Sequence, residues 1–528
     1  MFHSRPSNTL VRMAPWLAAG GVAAILAGCS DTQPTTPDAA QSSAQAGGAT
    51  QFLTLPLHPR EIDEEETEGI GEVQEGHFIW KAPFLNGQPP GQTRGNLSAG
   101  GGGGSLATFA PIVLTAGSDF NVSNAPDSYQ GETGGAANAS VIVGGSNSIY
   151  PGNCATQICA VRAYTSTDGE TWASNTIPRT WNGTEFGITF DPSIDADADG
   201  NFYYAFGGAP LSGSYPNSIG VSKAGPSGLN WSTPVAVTFN KNKFFDDKYY
   251  LAVDRSGSGF RNRIYVSWDR NTATNQILYI SYSSDAGATW SVPVKVDDGT
   301  SKFERVIGAY PAVNQTSGVV YDAWHNYAQD VIYVDKSTNG GASWGTDVAV
   351  ATTHTGFGMD IGCVGGRAQG PAHHLKVGPS GTLHLVYADN NASRGFDVLY
   401  TRSTNGGTTW STPVVLNDDA GAAHQYHPTL SVTSGSGGDR VTVSFIDRRD
   451  DPANCSSYVY ATASSDGGLT WAPNQRITSV ASNYNGNPNG PGDYSSSTPS
   501  PLGVFPFTGD HRNPDFEVYT AALLDTRR

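Results

Sequence analysis

From about residue 106 onward the chain alternates apolar and polar residues at a period of two, in short runs such as 263–268, 319–324, 383–387 and 441–445. That period predicts half-buried strands. The runs come in groups. An apolar strand is followed by a Gly or Asp-Gly turn, a second strand, a polar loop and a third strand, then a turn ending in tryptophan and a fourth strand such as 293–296 or 413–416. The pattern predicts an all-β chain, and 64 glycines with only 15% charged residues agree with short strands joined by tight turns.

The tryptophan turn gives the repeat. Ser464, Asp466, Gly468, Thr470 and Trp471 follow S-x-D-x-G-x-T-W, as do Ser283, Asp285, Gly287, Thr289 and Trp290. Ser403, Asn405, Gly407, Thr409 and Trp410 substitute Asn for Asp, and Ser337, Asn339, Gly341, Ser343 and Trp344 match more loosely. Ser166, Asp168, Thr171 and Trp172 form a copy one residue short, and 222–231 holds a degenerate one. The tryptophans at 172, 231, 290, 344, 410 and 471 lie 59, 59, 54, 66 and 61 residues apart, the length of one four-stranded blade. In each turn an Asp or Asn oxygen accepts from backbone N–H groups, glycine supplies positive φ and tryptophan buries against neighbouring strands.

On these motifs the chain resembles the Asp-box (BNR repeat) β-propellers of the sialidase/neuraminidase-like superfamily. The resemblance implies antiparallel four-stranded blades, with the boxes on the rim away from any substrate and without a catalytic role. The tail 493–524 continues with strands but no box, and the segment 112–122 resembles an outer strand. Closure of the ring by that N-terminal strand gives seven blades. Six blades with an irregular piece, the number the resemblance implies, is the alternative.

Arg5 and Arg12 precede an apolar run over 13–27 that ends in Leu26, Ala27, Gly28 and Cys29. The last four resemble a bacterial lipobox, implying a signal peptide over 1–28, lipidation of Cys29, export, and anchoring to the cell envelope. Ser30 favours the outer membrane. Residues 29–105 carry the acidic run 61–68 and the glycine run 100–104, the composition of a flexible tether, so the propeller is assigned to 106–528. The four remaining cysteines are even in number, as expected for two disulfides in an oxidising compartment: Cys154 with Cys159, and Cys363 with Cys455.

The net charge of −17, from 30 basic and 47 acidic side chains, argues against nucleic acid as a partner and against an anionic lipid surface, leaving the Cys29 lipid as the membrane contact. Ligands of such a propeller approach the loops after each second strand and the connections between blades. Those loops supply Asp269, Arg270, His325, Asp389, Asp447, Arg448, Asp510 and His511 as candidate binding residues. The connections add Asp246, Asp247, His373, His374, His427, Asp493 and Tyr494.

A sialidase requires three arginines on the substrate carboxylate, a tyrosine nucleophile and an acid. Arg367, Arg448 and Arg512 with Tyr494 and Asp447 are the candidates, but the family's Arg-Ile-Pro motif is absent. Another glycosidase or a lyase can instead pair His374 or His427 with Tyr494. Asp195, Asp197 and Asp199 before Gly200 have calcium-loop spacing, but no Glu stands at the twelfth position. A hairpin turn is therefore expected there, with a weak calcium site as the alternative and no other cofactor. The expectation is a monomeric, surface-anchored propeller binding glycan or protein through its loop face. An exo-acting glycoside hydrolase or polysaccharide lyase is the alternative, and an envelope-assembly partner the third reading.

Overall fold

The computed structural model describes residues 73–74, 77–78, 114–125, 129–149, 159–210, 216–241, 244–272, 275–300, 305–354, 359–364, 370, 372–391, 393–485, 490–512 and 516–525. Among them, seven four-stranded antiparallel sheets form the blades of a propeller. Their inner strands are Gly134–Ala137, Ile188–Ala196, Phe245–Val253, Val306–Val313, His374–Val377, Gln425–Gly435 and Ser496–Ser500, defining blades 1 to 7 in chain order. Each inner strand packs against the next, and the seventh packs against the first. The seven-bladed expectation holds, and the six-bladed alternative does not.

Closure occurs as the sequence pattern implied. Leu114–Asn121 pairs antiparallel with Glu517–Asp525 and supplies the outer strand of blade 7. An arginine fixes the seam: Arg512 donates to Asp119 on the closing strand (2.5 Å) and to Asp510 on the second strand of the blade (2.7 Å). Ser479 of blade 6 adds a hydroxyl to the same Asp119 at 2.7 Å.

The box turns carry the expected hydrogen bonds. Asp285 Oδ1 accepts from the Thr289 N–H at 2.9 Å, Asp466 Oδ1 from Thr470 at 2.9 Å, and Asp168 Oδ1 from Thr171 at 2.7 Å. Asn339 and Asn405 do the same for Ser343 and Thr409. Each box tryptophan then reaches the preceding blade. Trp172 meets Phe507 edge-on at 5.6 Å, Trp471 meets Tyr400 at 4.8 Å, and Trp290, Trp344 and Trp410 pack against the core layers that contain Tyr203, Tyr265 and Tyr321. The core is therefore a set of inter-blade layers, each sealed at the rim by one indole.

One disulfide, Cys363–Cys455, joins the connection between blades 4 and 5 to a loop of blade 6. Cys159 is also disulfide-bonded, while Cys154, Cys29, the signal peptide and nearly all of the tether lie outside the described residues.

The inner strands share one further feature. Each carries a residue in the left-handed region within its first few positions or shortly before it: Glu132 (φ 53°), Asp191 (56°), Lys248 (44°), Gly308 (77°), Ala372 (42°), His427 (49°) and Gly492 (79°). In blades 2, 3, 4 and 6 the pairing with the second strand slips there, between 190 and 193, 247 and 250, 307 and 310, and 426 and 429. These bulges re-aim side chains at the mouth of the central channel.

The seam is open to test. Removing Arg512 strands two buried carboxylates, so Arg512→Ala is expected to cost about 3–5 kcal/mol in urea denaturation. Arg255→Ala, which breaks a pair with Asp195 whose arginine is 39% exposed, is expected to cost no more than about 1 kcal/mol. Equal costs would show that Arg512 does not hold the ring shut.

Candidate functional site

Blades 1, 2, 3 and 7 bring charge to the axis. Lys248 of blade 3, almost fully buried, places its Nζ 2.5 Å from Asp493 Oδ2 and 3.4 Å from Asp191 Oδ2. Glu132 accepts from Asn147 Nδ2 at 2.5 Å and from the Asp493 N–H at 3.3 Å, while Asn147 Oδ1 accepts from the Asp191 N–H at 2.7 Å. One ammonium thus ties blades 2, 3 and 7 together, with blade 1 linked through Glu132 and Asn147.

An aromatic wall stands beside this cluster, built from residues two positions beyond the left-handed residue of each blade. The Tyr250 ring lies 4.7 Å from Tyr310, and Tyr310 lies 4.6 Å from His374, with its hydroxyl 3.2 Å from His374 Nδ1. Tyr494 packs edge-on against Tyr250 at 5.5 Å and receives the Lys248 ammonium over its ring at 5.6 Å. In blades 1 and 2 the same positions hold Gly134 and Ser193, so the wall is one-sided. Lys248, Tyr250, His325, His373, Asp493 and Tyr494 line a cleft of about 50 Å³ at this end of the channel.

Protonation states follow from burial. Burial pulls the Lys248 ammonium down, but Asp191, Asp493, Glu132 and Asp247 outweigh it and hold its pKa well above the ordinary value. Burial raises the Asp247 carboxyl to about 6 against the pull of Lys248, and burial with the charge of Asp247 raises Asp269 well above the carboxylate range. Burial pushes His325 down to about 3 and His373 to about 4, and holds His374 well below its usual value. The Tyr494 hydroxyl is raised by burial and by Asp191, so it is a phenol and not a phenolate at neutral pH. At pH 7 the cleft therefore holds uncharged imidazoles and protonated phenols, with Asp191, Asp493, Glu132 and Asp247 gathered around its single cation.

The arginines are used elsewhere. Arg448 is buried and donates to the carbonyls of Ile361 (3.0 Å), Gly362 (2.8 Å) and Asn454 (2.9 Å), bracing the two loops that the disulfide joins. Arg512 spans Asp119 and Asp510. Arg270 forms a two-pronged pair with Asp246 at 2.7 and 2.9 Å, and Asp447 is paired with Arg449 at 2.7 Å. Arg448 and Arg512 share no partner and do not converge, and Arg367 lies outside the described residues.

Of the remaining candidates, Asp389 accepts from the His354 ring at 2.9 Å and from its N–H at 2.8 Å, and His511 faces the Asn483 carbonyl at 2.7 Å. Tyr494, Asp269 and His325 belong to the axial cluster. Sequence reasoning passed over Glu132, Asp191, Lys248, Tyr250 and Tyr310. Their shared signal is a fixed place at the start of each inner strand, visible once the blades are aligned on the box tryptophans.

Asp195, Asp197 and Asp199 face separate partners. Asp195 takes Arg255 at 2.6 Å, Asp197 takes the Asn201 N–H (2.8 Å) and the Tyr203 hydroxyl (3.0 Å), and Asp199 takes Asn262 at 2.8 Å. The segment is the hairpin turn between the first two strands of blade 2.

No protein-family model matches the chain, and no curated protein matches it. Solved structures do. An ulvan lyase of a polysaccharide lyase family is 12% identical, with a TM-score of 0.48, covering 78% of this chain and 96% of its own. A Hadza microbial sialidase is 14% identical, with a TM-score of 0.43, over 71% of this chain and 76% of its own. An α-L-arabinanase of Penicillium chrysogenum is 12% identical, with a TM-score of 0.45, over 67% of this chain and all (100%) of its own. At these identities the likeness is one of architecture.

The buried acid gives a signed pH prediction. Asp247 binds its proton up to about pH 6 in the fold, against an unfolded value near 4. Its contribution to stability is full below about pH 4 and is lost as the pH rises through about 6, roughly 2–3 kcal/mol in all. Asp247→Asn is expected to flatten the urea midpoint between pH 4 and 7, whereas an unchanged slope would place the titration elsewhere.

Proposed function

We propose that this protein is a surface-anchored propeller that binds an uncharged, hydroxyl-rich glycan at the axial cleft. The observation that carries the proposal is the pairing of the acids around Lys248 with the wall of Tyr250, Tyr310, His374 and Tyr494. Carboxylates accept strongly from sugar hydroxyls, neutral imidazoles and phenols both donate and accept, and aromatic faces take the apolar face of a pyranose or furanose ring. An acidic sugar is disfavoured on the same grounds. Arg270, Arg448, Arg449 and Arg512 are already paired, and Lys248 is matched by its own acids. The string Leu26 to Cys29 supports anchoring through a lipid on Cys29 and hence exposure at the bacterial envelope.

A second reading is hydrolysis of a neutral glycoside, favoured by one observation. Asp247, held near 6 beside ionised carboxylates, has the proton affinity of a general acid.

The test is calorimetric titration of the mature chain with neutral oligosaccharides, sialosides and oligouronates, run beside an assay for new reducing ends. Tyr494→Ala and Tyr250→Ala are each expected to weaken neutral-glycan binding roughly 5- to 30-fold, the worth of about 1–2 kcal/mol of aromatic contact. Preferential binding of sialosides or uronates would overturn the reading. Reducing ends whose release Asp247→Asn abolishes would establish the second reading over simple binding.

A further inference from the structure

Away from the cleft, the repeat departs from its own rule at one blade junction. In five blades a hydroxyl on the third strand donates to the carbonyl of the residue after the box tryptophan, or after Trp231 in blade 2. The pairs are Thr165 to Ala173 (3.4 Å), Ser222 to Ser232 (2.5 Å), Ser281 to Ser291 (2.7 Å), Thr401 to Ser411 (2.6 Å) and Thr462 to Ala472 (2.7 Å). In blade 4 that position is Asp335, which has no hydroxyl to give, and the residue after Trp344 is Gly345. A Cβ on Gly345 would stand 2.8 Å from Asp335 Oδ1, so the glycine makes room for the carboxylate. The two departures belong together.

The same junction lacks the cation found at its counterparts. Asp298, after the outer strand of blade 3, and Asp347 of blade 4 clasp each other through backbone N–H groups at 2.9 and 3.1 Å. Between blades 5 and 6 the same clasp is made by Asp418 and Asn474 at 3.0 and 2.9 Å, and there Arg449 donates to both at 2.5 and 2.8 Å. Between blades 6 and 7, Arg512 serves Asp119. At the blade 3–4 clasp the asparagine is an aspartate, and the nearby lysines are committed elsewhere. Lys336 donates to the Gly406 carbonyl at 2.9 Å, and Lys295 pairs with Asp297 at 3.1 Å.

Asp335 and Asp347 occupy the next step of the ladder in which Val334 pairs with Val348, so they face each other across adjacent strands. Asp335 is only 3% exposed, and its Oδ2 has no hydrogen-bond partner; the same is true of Asp347 Oδ1. Asp335 Oδ1 accepts from the Lys336 N–H at 2.6 Å and feels the Lys336 charge, but that ammonium donates to Gly406, so two carboxylates with a bare buried oxygen each are left without an ion pair among the described residues.

We propose that Asp335 and Asp347 bind a divalent, oxygen-preferring cation of the calcium type, with both carboxylates as ligands and water completing the shell. Among the described residues no three acidic, histidine or cysteine side chains form a metal-binding group. A shell of two carboxylates and water places the affinity in the weak range, roughly 10⁻⁴–10⁻³ M.

The test uses the mature chain stripped with a chelator and then titrated with calcium chloride, by calorimetry and by thermal unfolding, at ionic strength matched with sodium chloride. One site saturating at millimolar calcium is expected, with a rise of about 2–5 °C in the unfolding midpoint. The double substitution Asp335→Thr with Asp347→Asn copies the side chains that blade 6 uses, Thr462 and Asn474, and is expected to fold, lose the site, and reach the higher midpoint without calcium. Absence of calcium binding by the parent chain, or undiminished binding by the double variant, would overturn the proposal. So would a parent chain that ignores calcium but gains stability on acidification from pH 8 to 5 in a manner the double variant lacks, which would make the pair a proton store.

Discussion

Seven strands cannot each point a full side chain straight at one axis, and the fold depends on how that crowding is relieved. Each inner strand carries a left-handed residue within its first few positions or shortly before it, a conformation that favours glycine, yet only two of the seven are glycine, at 308 and 492. Glu132, Asp191, Lys248, Ala372 and His427 adopt it at a cost of order 1 kcal/mol or more each. At Glu132, Asp191 and Lys248 that cost is offset by what the left-handed turn allows: side chains turned into the axial mouth, where one ammonium meets its acids. Strained backbone and functional chemistry therefore coincide at the same residues.

The disposition of arginines follows from a second constraint. A propeller is closed by contacts and not by chain continuity, so loops at the blade ends need strong, directional ties. Arg270, Arg449 and Arg512 each grip an aspartate of their own blade, and Arg449 and Arg512 also reach across to an outer-strand clasp. Arg448 grips carbonyls instead and braces the disulfide-linked loops. A guanidinium held at that many points is costly to release, and such residues do not double as a carboxylate-binding triad. The face that looks rich in arginine along the sequence is, at its centre, acidic and aromatic.

Much of the fold was legible because it is periodic. The box turns read out blade length, and the missing box in the tail, with a spare strand near residue 114, implied the seam. The pairing of Cys363 with Cys455 followed from counting cysteines once the loops were placed on one face. The site was less legible because its members are separated by whole blades. Asp191, Lys248 and Asp493 come from three inner strands and carry no local motif. Arg448 and Asp447, adjacent in sequence and attractive as a pair, point to different partners. Local strings report strands and turns, whereas a site at a symmetry axis is assembled by equivalence of position, which becomes visible only after the repeats are superposed.

That equivalence is also a way to separate scaffold from function. Where a position carries the same interaction in blade after blade, as with the hydroxyl beside the box tryptophan or the box oxygen on its turn, it maintains the repeat. Where one blade departs and a neighbouring residue departs with it, the change answers a local demand. Lys248 with Asp493 and Asp191 at the axis is one such departure, and Asp335 with Gly345 at the rim is another. In the first, the chain supplies the cation from its own Lys248 side chain; in the second, it supplies only the anions. The contrast assigns the two clusters different partners: a neutral ligand at the axis, where Lys248 already meets the acids around it, and a cation at the rim, where no ion pair is made among the described residues.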